Sequence, residues 1–217
     1  MAEELTPLMR EFLREFSKQP GLVDRFYFTG GTALAHYYLH HRLSVDLDFF
    51  SLAKFDSQAT LAFVSEWLQS RNAVLNAREI GDVQIYEMRF PDGYNLKVDF
   101  AHYPYKQVES TTLIDGIVVD SKLDIAVNKA VAISQRTDVK DFVDLYFLLK
   151  EYSIYTLHEL SNIKFRRDYD LMLLASDLIK VKRFEYMPNM LVPLSLKDLK
   201  AFYTDLSKNL GGHATSI

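Results

Sequence analysis

The apolar pattern changes period once along the chain, near residue 120, and this limits the fold more than any other feature. Before that point, short stretches alternate apolar and polar side chains between turn residues, as half-buried strands do. After it, apolar residues recur at three- and four-residue spacing, as on the buried face of helices. The expected class is α/β in the α+β sense. A small mixed-sheet core over residues 1–120 would be followed by a helical region over 121–217. No flexible linker marks the boundary, and there is no internal repeat.

An opening helix is expected from Leu5 to Ser17, with Pro7 in its first turn and Leu8, Phe12, Leu13 and Phe16 apolar. Strands are expected at Arg25–Thr29 and Val45–Phe50, separated by a helix over Thr32–His41. A helix capped by Asp56 or Ser57 would run to about Leu68. Val83–Phe90 and Tyr94–Ala101 flank Pro91-Asp92-Gly93, a hairpin signal, with a slip in alternation near Tyr86 and Glu87. Leu113–Val119 reads as extended. Helices are expected near Lys122–Gln135, Val139–Tyr152, Tyr169–Val181 and Leu196–Lys208.

The 217 residues are 48% apolar and include no cysteine, which rules out disulfides, thiolate metal sites and covalent cysteine catalysis. No apolar run approaches a membrane span, and the acidic, amphipathic start is unlike an export signal. A cytoplasmic location without membrane attachment is the expectation. The net charge of -4 hides an asymmetry: 11 basic and 17 acidic side chains lie within residues 1–120, and 14 and 12 follow. The second half could therefore present a basic surface to nucleic acid.

Chemistry concentrates in Arg42-Leu43-Ser44-Val45-Asp46-Leu47-Asp48-Phe49-Phe50. On a strand, Asp46 and Asp48 emerge from one face while Val45, Leu47 and Phe49 face a core. Two acids so placed repel each other unless a cation compensates. Oxygen-only ligands favour magnesium or manganese over zinc. In Asn95–Ala101 the same alternation leaves Lys97 and Asp99 opposite Leu96, Val98 and Phe100. If the two strands are neighbours, Asp99 completes a three-carboxylate metal site and could also accept a proton. The alternative is a solvated sheet edge. Gly30-Gly31-Thr32, between a strand and a helix, allows close approach to phosphate, and the Thr32 hydroxyl could add a donor. Without the acids it would read as a plain turn with a helix cap.

Phe28-Thr29-Gly30-Gly31-Thr32-Ala33-Leu34-Ala35, followed by Arg42–Phe50, resembles the AbiEii/AbiGii toxin family of the DNA polymerase beta-like nucleotidyltransferase superfamily. Lys129-Ala130-Val131-Ala132-Ile133-Ser134-Gln135-Arg136 and Lys140-Asp141-Phe142-Val143-Asp144-Leu145-Tyr146 are similar to its late helical motif. The matches span residues 28–148 in order. The resemblance implies that Gly31 and Thr32 grip phosphate, Asp46 and Asp48 bind the metals, and Asp99 is the third acid. It places Lys129 and Asp141, with Asp144, in an active-site cleft completed by the helical region. It also implies a nucleoside triphosphate substrate, a transfer RNA or other RNA acceptor, and a cognate antitoxin in a bacterial toxin–antitoxin or phage-defence system.

Read from the residues, Lys129 and Arg136 are two helical turns apart and share a face, as do Asp141 and Asp144. Lys129 could meet a triphosphate. Arg136 could pair with Asp141 or contact the nucleotide, and for Arg136 and Asp144 buried ion pairing is the structural alternative. Lys129→Met is expected to preserve the fold and lower transfer. His36 and His40 lack the further ligands a zinc site needs. Residues 162–167 and 179–184 mix basic and apolar side chains and could touch RNA or simply cover the core. Three functions follow: metal-dependent nucleotidyl transfer to RNA, the same transfer to a protein or small molecule, and non-catalytic nucleotide binding.

Overall fold

The computed structural model describes residues 5–214. Its contacts divide the chain into two compact units, Met1–Tyr38 with Leu43–Ser121, and Leu39–Arg42 with Lys122–Ile217. Leu39–Arg42, inside the strand-rich part of the sequence, thus belongs with the helices.

The first unit is built on a seven-stranded mixed sheet: β1 (Tyr27–Thr29), β2 (Asp46–Ser51), β3 (Val74–Ile80), β4 (Val83–Arg89), β5 (Asn95–His102), β6 (Thr112–Ile114) and β7 (Ile117–Val119). Their spatial order is β3-β4-β5-β2-β1-β7-β6. β2 runs parallel to β5 and antiparallel to β1, and β1 runs parallel to β7. Leu47, Phe49, Leu96, Val98 and Phe100 are fully buried on one face. Helices α1 (Pro7–Phe16) and α4 (Ser57–Leu68) supply the packing there. Phe12 meets Phe63 and Trp67 edge-on, Phe16 lies 4.3 Å from Phe49, and Phe49 stacks on Phe100 at 5.1 Å. Each such buried ring contributes roughly 1.5–3 kcal/mol of transfer free energy. Thr6 caps α1 by accepting from the Met9 amide, and Pro7 starts it where no amide donor is needed. Met9 takes the buried position expected of Leu8.

Several local expectations shift. β4 pairs with β5 residue for residue from Val83↔Ala101 to Arg89↔Asn95, without a slip. Tyr86 and Met88 face the core, whereas Val83, Ile85 and Glu87 share the face of Asp99. Val45 precedes β2 and is 47% exposed rather than core. The expected Thr32–His41 helix is α3 (Gly30–Ala33) continued by a wider π turn over Leu34–Leu39. His40 lies past its end with φ +50°, so the two histidines do not share a regular helical face. A short helix, α2 (Pro20–Val23), stands where Gly21 was expected to end the opening segment.

The helical unit contains α5 (Lys122–Gln135), α6 (Val139–Leu148), α7 (Ile154–Phe165), α8 (Leu171–Leu178, extended by a 3-10 turn over Ile179–Arg183) and α9 (Leu196–Ala214). α7 was not expected from the sequence because its buried stripe is Ile154, Leu157, Ser161 and Lys164, half of it polar. Lys164 Nζ lies 2.8 Å from Asp124 Oδ1 with both side chains buried. That lysine is a packing element and not a surface contact for RNA. No helix among the described residues is long and apolar enough to cross a membrane.

Candidate active site

On the sheet face opposite the aromatic core, cross-strand pairing sets side chains in rows. One row is Asp48 on β2 beside Asp99 on β5, with Thr29 on one flank and Ile85 and Arg78 on the other. The next is Asp46 beside Lys97, then Glu87 and Asn76. The parallel pairing of β2 with β5, six residues long, brings the three acids together.

Gly30 fixes the environment of Asp48. Its φ is +77°, and a Cβ there would lie 2.2 Å from Asp48 Oδ2. Only glycine accepts both that backbone and that carboxylate. The Thr32 hydroxyl donates to the backbone carbonyl of Asp46, joining the glycine turn to the acidic strand. The buried Thr29 hydroxyl donates to Asp120 Oδ2 at 2.8 Å, and Tyr38 donates to the Asp120 carbonyl at 2.7 Å.

Lys97, which strand alternation puts on this face, is a further functional candidate. Its ammonium donates to Asp99 Oδ2. Burial by itself would push Lys97 down, but Asp99, with Asp46 and Asp48, holds it above the usual lysine value. Burial raises the Asp99 carboxyl above the usual aspartate value. Lys97 pulls it back only in part, and Asp46 adds to the rise. Desolvation thus outweighs the ammonium at Asp99. The signal for Lys97 was its two-residue spacing from Asp99. Asp120 carried no such signal, since its side-chain partner Thr29 is 91 residues away in sequence.

The residues fit a divalent cation in chemistry. Three carboxylates face one ammonium, all donors are oxygen, and Asp99 Oδ1 is a buried oxygen with no hydrogen-bond partner among the described residues. The acids do not form a closed cage: no group of three acidic or histidine side chains among the described residues converges to metal-binding geometry. Asp99 Oδ2 is turned to Lys97, so full ligation by Asp99 requires that ammonium to give way.

Lys129, Arg136, Asp141 and Asp144 come together within the helical unit, joined by His41 and Arg42. Lys129 Nζ is 2.8 Å from Asp141 Oδ1 and 2.7 Å from Asp144 Oδ2. Arg42 makes a two-pronged contact with Asp144, Nε to Oδ1 at 2.7 Å and a terminal nitrogen to Oδ2 at 2.8 Å. His41 Nε2 lies 2.7 Å from Asp144 Oδ1. Arg136 contacts Asp141 at 2.6 Å while its side chain is 61% exposed. Burial would raise Asp144, but Lys129, Arg42 and His41 hold it well below the usual range. Asp141 is likewise lowered, by Lys129 and Arg136 against burial. Burial opposes the charge on Lys129, and Asp144 and Asp141 more than restore it. Removing Lys129 would therefore unbalance a buried network, so Lys129→Met is expected to lower stability.

The family model described as "Nucleotidyl transferase AbiEii toxin, Type IV TA system" matches residues 11–210. An uncharacterized protein of Aquifex aeolicus (strain VF5) is 34% identical over 165 residues, covering 73% of this chain and 75% of its own. A putative nucleotidyltransferase from Helicobacter pylori is similar in structure, with TM-score 0.56, 23% identity and 94% coverage of both chains. MenT4, a nucleotidyltransferase toxin of Mycobacterium tuberculosis H37Rv, has TM-score 0.60 at 17% identity, covering 94% of this chain and 82% of its own. At those identities the two structures speak for the fold.

Proposed function

Because the chain belongs to the AbiEii nucleotidyl transferase toxin family and is a nucleotidyltransferase, we propose that it moves a nucleoside monophosphate from a nucleoside triphosphate to a hydroxyl of RNA. The observation that carries this reading is the direct pairing of Asp48 with Asp99, beside Asp46, with Gly30 against the Asp48 carboxylate. The acceptor oxygen attacks the α-phosphorus, the bond to the β-phosphate oxygen breaks, and pyrophosphate leaves. Asp46 and Asp48 would hold magnesium or manganese, and Asp99 would take the proton of the attacking hydroxyl. The bound metal supplies charge neutralisation on the phosphates and lowers the pKa of the hydroxyl.

Among the late-motif cations, buried Lys129 pairs with Asp141 and Asp144, and the more exposed Arg136 holds Asp141 through two nitrogens. We assign to Lys129, Asp141, Asp144 and Arg136 the charge balance that holds α5 and α6 together within the helical unit. The type IV family supports a cognate antitoxin, and a role in phage defence is consistent with it. The test is incubation with each labelled triphosphate, magnesium or manganese, and total RNA. Label in RNA that disappears in Asp48→Asn is the expected result. Label in protein or in a small molecule, or in nothing, refutes the RNA assignment.

A further inference from the structure

A groove of about 460 Å³ begins at Asp46 and Lys97 and runs over the same sheet face toward β3. It offers Asn76, Glu87, Arg89 and Asn95 beyond those two residues. The pairing register places all six on the carboxylate face, in two successive rows. Its volume lies in the range of sites for molecules of nucleotide size.

The position of the groove relative to Gly30 gives it a role. Gly30 follows β1 and approaches Asp48 from that side, whereas the groove lies over β5, β4 and β3. The acids therefore stand between a glycine turn and a groove. In an in-line displacement the attacking and leaving oxygens lie on opposite sides of phosphorus. With the leaving pyrophosphate toward the glycine turn, the attacking hydroxyl comes from the groove. We propose that this groove is the acceptor subsite, holding the terminal nucleotide of a single-stranded RNA whose 3′ hydroxyl reaches Asp99. This rests on the reading that the protein transfers nucleotides to RNA.

The lining suits that occupant. Asn76 Nδ2 donates to Glu87 Oε2 at 3.1 Å and Arg78 donates to Glu87 Oε1 at 2.6 Å, so the Glu87 carboxylate is fixed before anything binds. A fixed carboxylate accepts from the exocyclic amine of a base, and the asparagine amides can pair with base edges. Arg89, at the end farther from Asp99, can take the backbone phosphate. Val45 and Val74, 47% and 68% exposed, give the groove apolar walls.

Asn76 and Arg89 are exposed, so Asn76→Ala and Arg89→Ala leave the core untouched. Steady-state transfer to a short single-stranded RNA should show the RNA KM raised about tenfold in the double variant, with the triphosphate KM unchanged. An unchanged RNA KM, or a raised triphosphate KM, overturns the subsite while leaving RNA transfer standing. Should the wild type transfer nothing to RNA, the proposed function fails, and the same fluorescent RNA is then titrated by anisotropy. About tenfold weaker binding by the double variant supports the groove as an RNA site. Equal binding, or no binding by the wild type, overturns it.

Discussion

Replacing Lys129 with methionine keeps an unbranched side chain, one atom shorter, and deletes its charge, in a place where two buried aspartates depend on that charge. Lys129 is 7% exposed, and its ammonium lies within 2.8 Å of Asp141 and 2.7 Å of Asp144. Removing one partner of a buried ion pair costs about 3–5 kcal/mol. Here neither acid is left alone: Asp141 keeps Arg136 at 2.6 Å, and Asp144 keeps His41 and the two-pronged Arg42. The cost should therefore fall near the lower end, about 3 kcal/mol. In a chain of this size that lowers Tm by roughly 6–12 °C. Urea unfolding gives the free energy, and hydrogen exchange should locate the loss in α5 and α6. If the unfolding midpoint stays put while transfer vanishes, the framework role is refuted and the lysine acts on the ligand.

Asp144→Asn should cost more than Lys129→Met, about 4–5 kcal/mol, because Lys129 and Arg42 both lose a buried counter-charge; the same urea titration ranks the two. Asp48→Asn should lower transfer at least about a hundredfold while changing stability by less than about 1 kcal/mol, read by single-turnover kinetics alongside calorimetry. Gly30→Ala should also abolish transfer, since its methyl would meet Asp48 Oδ2 at 2.2 Å and the left-handed backbone adds about 1–2 kcal/mol of strain; normal kinetics would contradict this geometry. For pH, the folded values of Asp141 and Asp144 are depressed, so their contribution is present above the unfolded value near 3.9 and is lost as pH falls through the folded values. Lys129 is raised, so its contribution is present below the unfolded value near 10.4 and is lost as pH rises through the folded value. Stability of the helical unit should be flat across neutral pH and fall at both ends, as denaturant midpoints across a pH series would record.

Elements whose side-chain period matches their burial were legible in the amino-acid order alone. α5 spans Lys122–Gln135 as its spacing required, and Leu47, Phe49, Leu96, Val98 and Phe100 alternate into the core as their order dictates. Because a strand's period is two, that same alternation put Asp46 with Asp48, and Lys97 with Asp99, on the other face. β3 was invisible to this reasoning: Val74–Ile80 is exposed along most of its length and exists through seven pairings with β4, which no local pattern encodes. α7 was hidden for the opposite reason, its buried stripe including a lysine that is tolerable only because Asp124, 40 residues earlier, neutralises it. Register also lay beyond the sequence. The pairing of Asp48 with Asp99 and the close approach of Gly30 to Asp48 depend on where separate strands align. So does the choice of Asp141 and Asp144 as partners for Lys129, which belongs to helix packing. Local periodicity fixes which way a side chain points along its own element. Only the tertiary fold decides which charge it meets there, because that partner comes from a distant part of the chain.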